Sequence, residues 1–513
     1  MKKAVSIILA GIMILTLCAC GTGTGNGSVA NADPLTRDDV IQIVIGSHAS
    51  WPYREDWKIW EYIEEACGAT LDIVAYPSSE GATKIPLMFA APETLPDIFY
   101  GTHKPGDDKY IHSGAMIAFD DMKEYMPNYN AWVDSLSEEE YDNLVGIRLA
   151  HDGKVYYSPV VGREISQNVR AWLYRKDIFD KHGIAVPTTF DELYEVCKQL
   201  KELYPDSYPF SVRGGMNVMA VTGSSWKPYW QPGMYYDYNA EKWSYGMSED
   251  IMLENIKFYK KLIDEKLMPS DFMTINSVSW QELVTTDRGF IMPEYQTRID
   301  FFNSIGRSNN PEFDLHAMVP PVATEEGLPM VAKFNLDPNG IKIPNNRVES
   351  RIANAAKFVD WFYSDEAVEL VSWGKEGETF EVIDGKKQYI TDENGTQANT
   401  LYGFGTHGTF TRMDPEAVLA FESADLAETR DMVLEHTMPK VNPTLWLSFS
   451  EEEYDVKEQY EAALSTHTSE MVSKFLLGQE PLSKWDEFVK TLYNDMHLEE
   501  LLAVYTSAYD RVK

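Results

Sequence analysis

At 513 residues the chain is long enough for two or three domains of roughly 100–200 residues each, and 44% hydrophobic with 12% aromatic residues can fill sizeable cores. Its 80 Asp and Glu against 45 Lys and Arg leave a formal charge of −35. Such a balance repels nucleic-acid phosphates and argues against anionic substrates unless a local basic pocket overrides the sum. The acids are spread along the chain rather than blocked, the pattern of a solvated surface.

In chain order, residues 1–17 join Lys2 and Lys3 to an apolar run that falls short of the about 20 residues a membrane helix needs. Charge, short apolar run and small residues together make a secretory signal. The next residues, Leu17-Cys18-Ala19-Cys20, resemble a bacterial lipobox. That resemblance implies a signal peptide over 1–19 and a lipid on Cys20 as the mature N-terminus. A pliant Gly- and Thr-rich tether then runs over 20–37. The remaining cysteines, Cys67 and Cys197, sit in apolar helical patterns and read as buried free thiols.

A strand is expected at 41–45, a helix at 55–67 ended by Gly68, a strand at 71–76, a helix near 80–90 and a strand at 97–100. Strand, helix, strand, helix, strand is a βαβ sheet. In such sheets ligands lie beyond the carboxyl ends of the strands, here the loops 48–53 and 101–103. The pattern restarts with a strand at 171–174, a helix at 177–182 closed by Gly183, and a capping box, Thr189 with Glu192, opening a longer helix. Ser137 with Glu140 and Ser450 with Glu453 mark two further helix starts, and beyond about 410 the chain is mostly helical.

Several phrases carry a family resemblance. KIPLMFAAP at 84–92 with LPDIFYG at 95–101, DGKVY at 152–156 with Pro159, and LYRKD at 173–177 followed by PTTFDEL at 187–193 are three of them. FVDWFYSDE at 358–366, WGKEG at 373–377, VIDGK at 382–386 and the closing 504–513 are the others. In this order, behind a lipobox, they resemble the extracellular solute-binding lipoproteins of carbohydrate ABC importers. The resemblance implies an α/β fold of the two-lobed periplasmic-binding-protein type (type II), with the ligand in a cleft between lobes. It also implies a carbohydrate ligand, ABC permease subunits as partners, and a monomer held at the extracellular face of the bacterial cell membrane. On this frame lobe 1 spans 38–160 and lobe 2 spans 161–298. Residues 299–350 return to lobe 1, and 351–513 form a hinge-proximal and C-terminal helical part, mainly of lobe 2. Relatives often carry an acidic calcium loop after the second-lobe helix. Residues 202–210 here offer too few oxygen ligands, and 237–241 read as a solvated hairpin, so neither a metal nor a cofactor is expected.

Sugar binding needs flat apolar surfaces and planar polar groups. Trp51 and Tyr53 just past the first strand, and His103 past the third, meet that need in lobe 1. Arg163 and Asn168 fall near the expected crossing between lobes. In lobe 2, Trp226 and Trp230 lie in an aromatic stretch broken by proline, while Glu294 and Tyr295 follow a strand. Trp132, Trp361 and Trp485 sit in helical patterns and are assigned to cores. HExxH, GxSxG, P-loop and metal-spaced Cys/His signatures are absent from the sequence. The reading is therefore a binding protein. A surface-anchored carbohydrate-active enzyme is the alternative, because two carboxylates placed by the fold would leave no spacing signal; a binding protein for a peptide or other solute is a third option.

Overall fold

The computed structural model describes residues 33–47, 52–100, 107–162, 169–333, 340–392, 396, 398–404, 411–445 and 447–511. Two hydrophobic cores, each built around its own sheet, divide the chain into two lobes.

In the first lobe β1 (Val40–Ser47) pairs in parallel with β2 (Thr70–Pro77) and β3 (Ile98–Tyr100). The run IQIVI is apolar because β1 lies inside the sheet with both faces covered; Ile41, Ile43 and Ile45 are buried. The crossover helix Lys58–Cys67 ends at Gly68, whose left-handed backbone (φ 82°) returns its N–H to the Glu64 carbonyl. Helix Gly81–Phe89 makes the second crossover. The five elements expected from the sequence are all present.

The second lobe is built on β4 (Arg170–Arg175). A hairpin of β5 (Met234–Asp237) and β6 (Lys242–Tyr245) follows, with residues 238–241 at its tip. β4 is flanked by β7 (Ile291–Tyr295) and β8 (Leu315–Met318), both antiparallel to it. β9 (Val331–Lys333) ends this passage, and the chain re-enters the first lobe at β10 (Ile341–Lys342), antiparallel to β3. The first-lobe sheet order is therefore β10-β3-β1-β2. Helix Glu349–Trp361 packs Phe358 and Val359 into that core, and β11 (Phe380–Ile383) and β12 (Lys386–Tyr389) form a hairpin. β13 (Thr437–Val441) pairs with β9 back in lobe 2. Helices Glu451–Leu476, Trp485–Asn494 and Leu498–Asp510 then close over the second core through residues such as Leu464, Phe475 and Leu501.

Two boundaries move from the sequence-based expectation. Residues 299–333 belong to lobe 2, because β8 completes its sheet, and the described residues between 349 and 421 belong to lobe 1. Pairing between strands about 140 residues apart leaves no local pattern, so a helix-rich stretch carries no mark of the lobe it joins.

At the first crossing Val161 and Arg412 form a parallel bridge, with the Val161 N–H on Thr411 O at 2.8 Å and the Met413 N–H on Val161 O at 3.0 Å. Gly162, at φ +94°, would bring a Cβ to 2.1 Å from the Met413 carbonyl oxygen, so only glycine fits this contact. Two of the three expected capping boxes are formed, at Ser137 and Ser450. At the third, Thr189 accepts the Glu192 N–H while the Glu192 carboxylate reaches Thr188 instead. Cys67 and Cys197 are free thiols, and burial pushes the Cys197 thiol far up.

Candidate functional site

A cavity of about 870 Å³ lies where the lobes face each other, lined from both sides. Lobe 1 supplies helix Gly81–Phe89, Phe99 of β3, Tyr110 on the short helix Asp108–His112, and Lys342 of β10. Phe89 and Tyr110 stack with ring centroids 3.9 Å apart and 18° between planes, which fixes the Tyr110 ring at the cavity wall. Lobe 2 supplies Gln231, Met234, Tyr245 and one face of the long helix Glu451–Leu476. Tyr454, Glu458, Glu461, Ser465 and Thr468 recur on that helix every three or four residues, the spacing of a single face. Tyr245 donates to Thr468 Oγ1 at 2.9 Å or accepts from it, and burial pushes its phenol up to about 12. Gln231 Oε1 accepts from Asn442 at 3.1 Å, which orients its amide.

Beside the cavity the lobes are joined by hydrogen bonds. Ser448 Oγ donates to Asp108 Oδ1 at 2.5 Å and accepts the His151 N–H at 3.0 Å, while His112 Nε2 meets the Phe449 carbonyl at 3.0 Å. His112 also lies edge-on to His151 and Tyr454. Burial holds the Asp108 carboxyl above its usual range, although the Ser448 hydroxyl works against that shift.

A second polar group sits at the lobe-2 end of the first crossing. Glu294 takes Arg170 Nη1 at 2.9 Å on one carboxylate oxygen and Arg213 Nε at 2.8 Å on the other. The Arg170 guanidinium lies 3.5 Å over the Tyr295 ring, and Arg213 stands 5.0 Å from the Trp280 ring centroid. Glu294 and Tyr295, expected as ligand-binding residues, thus fall at the end of β7 beside these two arginines. Glu294 is buried and held between two arginines, and neither residue lines the cavity.

The remaining expectations are redistributed. Trp226 and Trp230 are buried, at 5% and 0% exposure, inside the lobe-2 core and are not stacking surfaces. Trp226 meets Phe190 edge-on at 5.1 Å. The backbone of Trp230 is so close to Gly223 that a Cβ there would fall 2.1 Å from its carbonyl. Proline keeps a ring off a helix face but does not keep it out of a core, and that is the error in the sequence-based expectation. Gln231, next to Trp230, is the residue of this stretch that reaches the cavity. Tyr53 occupies a separate groove along helix Lys58–Cys67 and β2, packed on Trp57 and Trp60. Burial first, and Glu55 second, push its phenol up to about 12. Trp51, His103, Arg163, Asn168 and Cys20 lie outside the described residues. Trp132 and Trp485 are buried, and Trp361 is half-buried.

Sequence reasoning missed Phe89, Tyr110 and the polar stripe of helix Glu451–Leu476. Phe89 stands in the 84–92 phrase and could have been found there. The stripe could not, since its Glu, Lys and Ser spacing is that of any solvated helix face. Among the described residues no group of three or more His, Cys, Asp or Glu is placed to hold a metal ion. Asp237 is engaged by Lys227 at 2.8 Å and by the N–H groups of Asn239 and Ala240, both at 3.0 Å.

Residues 55–369 match the family described as bacterial extracellular solute-binding protein. A Bacillus subtilis lipoprotein, LipO, is 24% identical over 337 residues. That alignment covers 63% of this chain and 64% of LipO, so the chain spans just under two thirds of this curated relative. Among solved structures, the alginate-binding protein AlgQ2 without calcium ion superimposes with a TM-score of 0.73 at 20% identity, covering 94% of this chain and 99% of that one. The substrate-binding protein FusA of an S. pneumoniae ABC transporter, in complex with kestose, gives 0.73 at 19% identity, covering 92% and 99%. The N-glycan transport solute-binding protein of Streptococcus pneumoniae gives 0.61 at 17% identity, again covering 92% and 99%. With a family match over more than half its length and a two-lobed fold shared almost end to end, the chain belongs to the bacterial extracellular solute-binding proteins.

Proposed function

We propose that this protein captures an oligosaccharide in the cavity between its lobes and delivers it intact to the permease of an ABC importer, held at the outer membrane face by a lipid on Cys20. The observation that carries this reading is a cavity of about 870 Å³ lined from both lobes by aromatic rings, an oriented amide and hydroxyls. Rings offer flat surfaces to pyranose or furanose faces, and the polar groups fix hydroxyl orientation. The names of three structural relatives, which cite alginate, kestose and N-glycan, support the same class of ligand. No bond needs breaking: a ligand that touches both lobes stabilises the closed arrangement because only there are both sets of contacts made.

The test is differential scanning calorimetry against kestose, alginate oligosaccharides and N-glycan fragments, with chromatography of the sugar afterwards. A ligand at about a hundredfold excess over its Kd adds about 2.7 kcal/mol to stability, and the sugar should be recovered unchanged. Released monosaccharide would turn the reading to a hydrolase. A flat response to every glycan would remove the sugar assignment.

A further inference from the structure

We infer that the cavity is selective for uncharged glycans and rejects those bearing carboxylates, an inference that rests on the oligosaccharide reading above. The described residues lining the cavity include three carboxylates, Asp107, Glu458 and Glu461, and three ammonium groups, Lys109, Lys342 and Lys457. Charges of both signs could serve an ionic ligand, so what matters is whether they are already satisfied. Lys342, buried at 4% exposure, is in direct contact with Asp107. Lys457 is in direct contact with Glu461, one helical turn along, and Glu461 also accepts the Tyr505 hydroxyl at 2.5 Å. Two of the three wall cations, Lys342 and Lys457, are therefore each matched by a carboxylate of the wall itself.

Lys109 and Glu458 remain, one of each sign, and both are exposed. The Lys109 ammonium stands 4.9 Å from the Tyr110 ring centroid at the rim. A uronate or sialate entering this cavity would find its hydroxyls served but its carboxylate placed among paired charges. Anywhere but beside Lys109 at the rim, it would have to compete with an internal ion pair for Lys342 or Lys457, whose side chains are 5% and 16% exposed. The formal charge of −35 adds a long-range field that lowers the local concentration of anions. Gln231, Thr444, Ser465 and Thr468 between the ion pairs are uncharged groups suited to hydroxyls.

The experiment is isothermal titration of the mature chain with two length-matched sets, neutral fructan and mannan oligosaccharides and their uronate counterparts, each at low and high salt. Binding is expected among the neutral sugars, with Kd changing less than about twofold between about 0.05 and 0.5 M salt. The uronates should bind at least about a hundredfold more weakly, about 2.8 kcal/mol. A uronate bound as tightly as the best neutral sugar, with affinity falling as salt rises, overturns the inference and leaves the oligosaccharide reading standing. Failure of every sugar in both sets sinks the two together. Glu461→Gln is the second arm, because it leaves Lys457 without its partner. In a variant with unchanged circular dichroism, uronate binding should tighten about tenfold, about 1.4 kcal/mol. No tightening would mean that the paired lysine does not set the charge preference.

Discussion

Tyr110 and Trp230 are both aromatic residues on turn-rich segments, yet they do opposite work. Tyr110 stands at the cavity wall, half-buried, with its ring held by Phe89. Trp230 is enclosed by core residues on all sides. Truncation should separate these roles. Tyr110→Ala should weaken sugar binding about tenfold, about 1.4 kcal/mol, with little change in the unfolding midpoint of the free protein. Trp230→Ala should cost about 3–5 kcal/mol of stability through the cavity it leaves, and the surviving folded fraction should bind with nearly normal Kd. Titration calorimetry and urea unfolding on the two variants give both readouts. A stable Trp230→Ala with lost affinity would return that ring to the binding surface. The stretch singled out in the sequence reaches the cavity through Gln231 and not through a ring: proline and aromatic density at 226–232 marked an irregular segment. Whether a ring there faces solvent or core depends on the β5–β6 hairpin folding over it, which is a tertiary fact.

At the scale of elements, legibility follows sequence separation. β1, β2, β3 and their two crossover helices could be read because each packs on its chain neighbours, with Gly68 stopping the first helix. The strand before Glu294 could be read too, but not the antiparallel pairing of β7 and β8 with β4, and with that pairing went the lobe boundaries. One long-range helix contact has a measurable signature. Asp360, near the end of helix Glu349–Trp361, accepts the Tyr129 N–H and the Asn128 Nδ2, both at 2.8 Å, at the start of helix Pro127–Asp134. It thereby takes up amides left over at a helix N-terminus. Burial nonetheless dominates and raises its carboxyl from 3.8 to about 6, against the lowering effect of those two donors. With the folded value raised, the unfolded chain loses this proton first as pH rises, so stability falls between about pH 4 and pH 6 and is fully restored only below the unfolded value. At about 1.4 kcal/mol for each pKa unit, the difference across that window is on the order of 2–3 kcal/mol. Urea unfolding of the parent and Asp360→Asn at pH 7 and pH 4.5 isolates it, since other groups cancel in the comparison. The parent should gain stability relative to the variant at the lower pH; a constant difference would show that Asp360 titrates normally.

At the scale of the molecule, the two cores are linked by little chain. Phe421 packs in the first-lobe core and Leu426 in a smaller cluster with Ala171 and Leu173 of β4, so the last crossing takes four residues, 422–425. Val161, Gly162 and Met413 run backbone against backbone at the first crossing, a contact that fixes the strands to each other without tying the lobes together. Rotation about a few such residues moves whole lobes at small local cost. The seam beside the cavity opposes opening: Ser448 holds Asp108 and the His151 N–H across it, and His112 meets the Phe449 carbonyl. A bound sugar adds contacts from both lobes to the same side of the balance. Small-angle scattering should therefore show a smaller radius of gyration with saturating sugar than without. Ser448→Ala removes two hydrogen bonds of about 0.5–1.5 kcal/mol each, so the closed state should become harder to reach and affinity should drop about tenfold. The radius at saturation should still match that of the parent, because enough sugar restores closure. Equal radii with and without sugar would rule out lobe rotation as the response to ligand. Unchanged affinity in Ser448→Ala, with the radius still falling, would mean that the seam persists in both states and that closure turns about some other line.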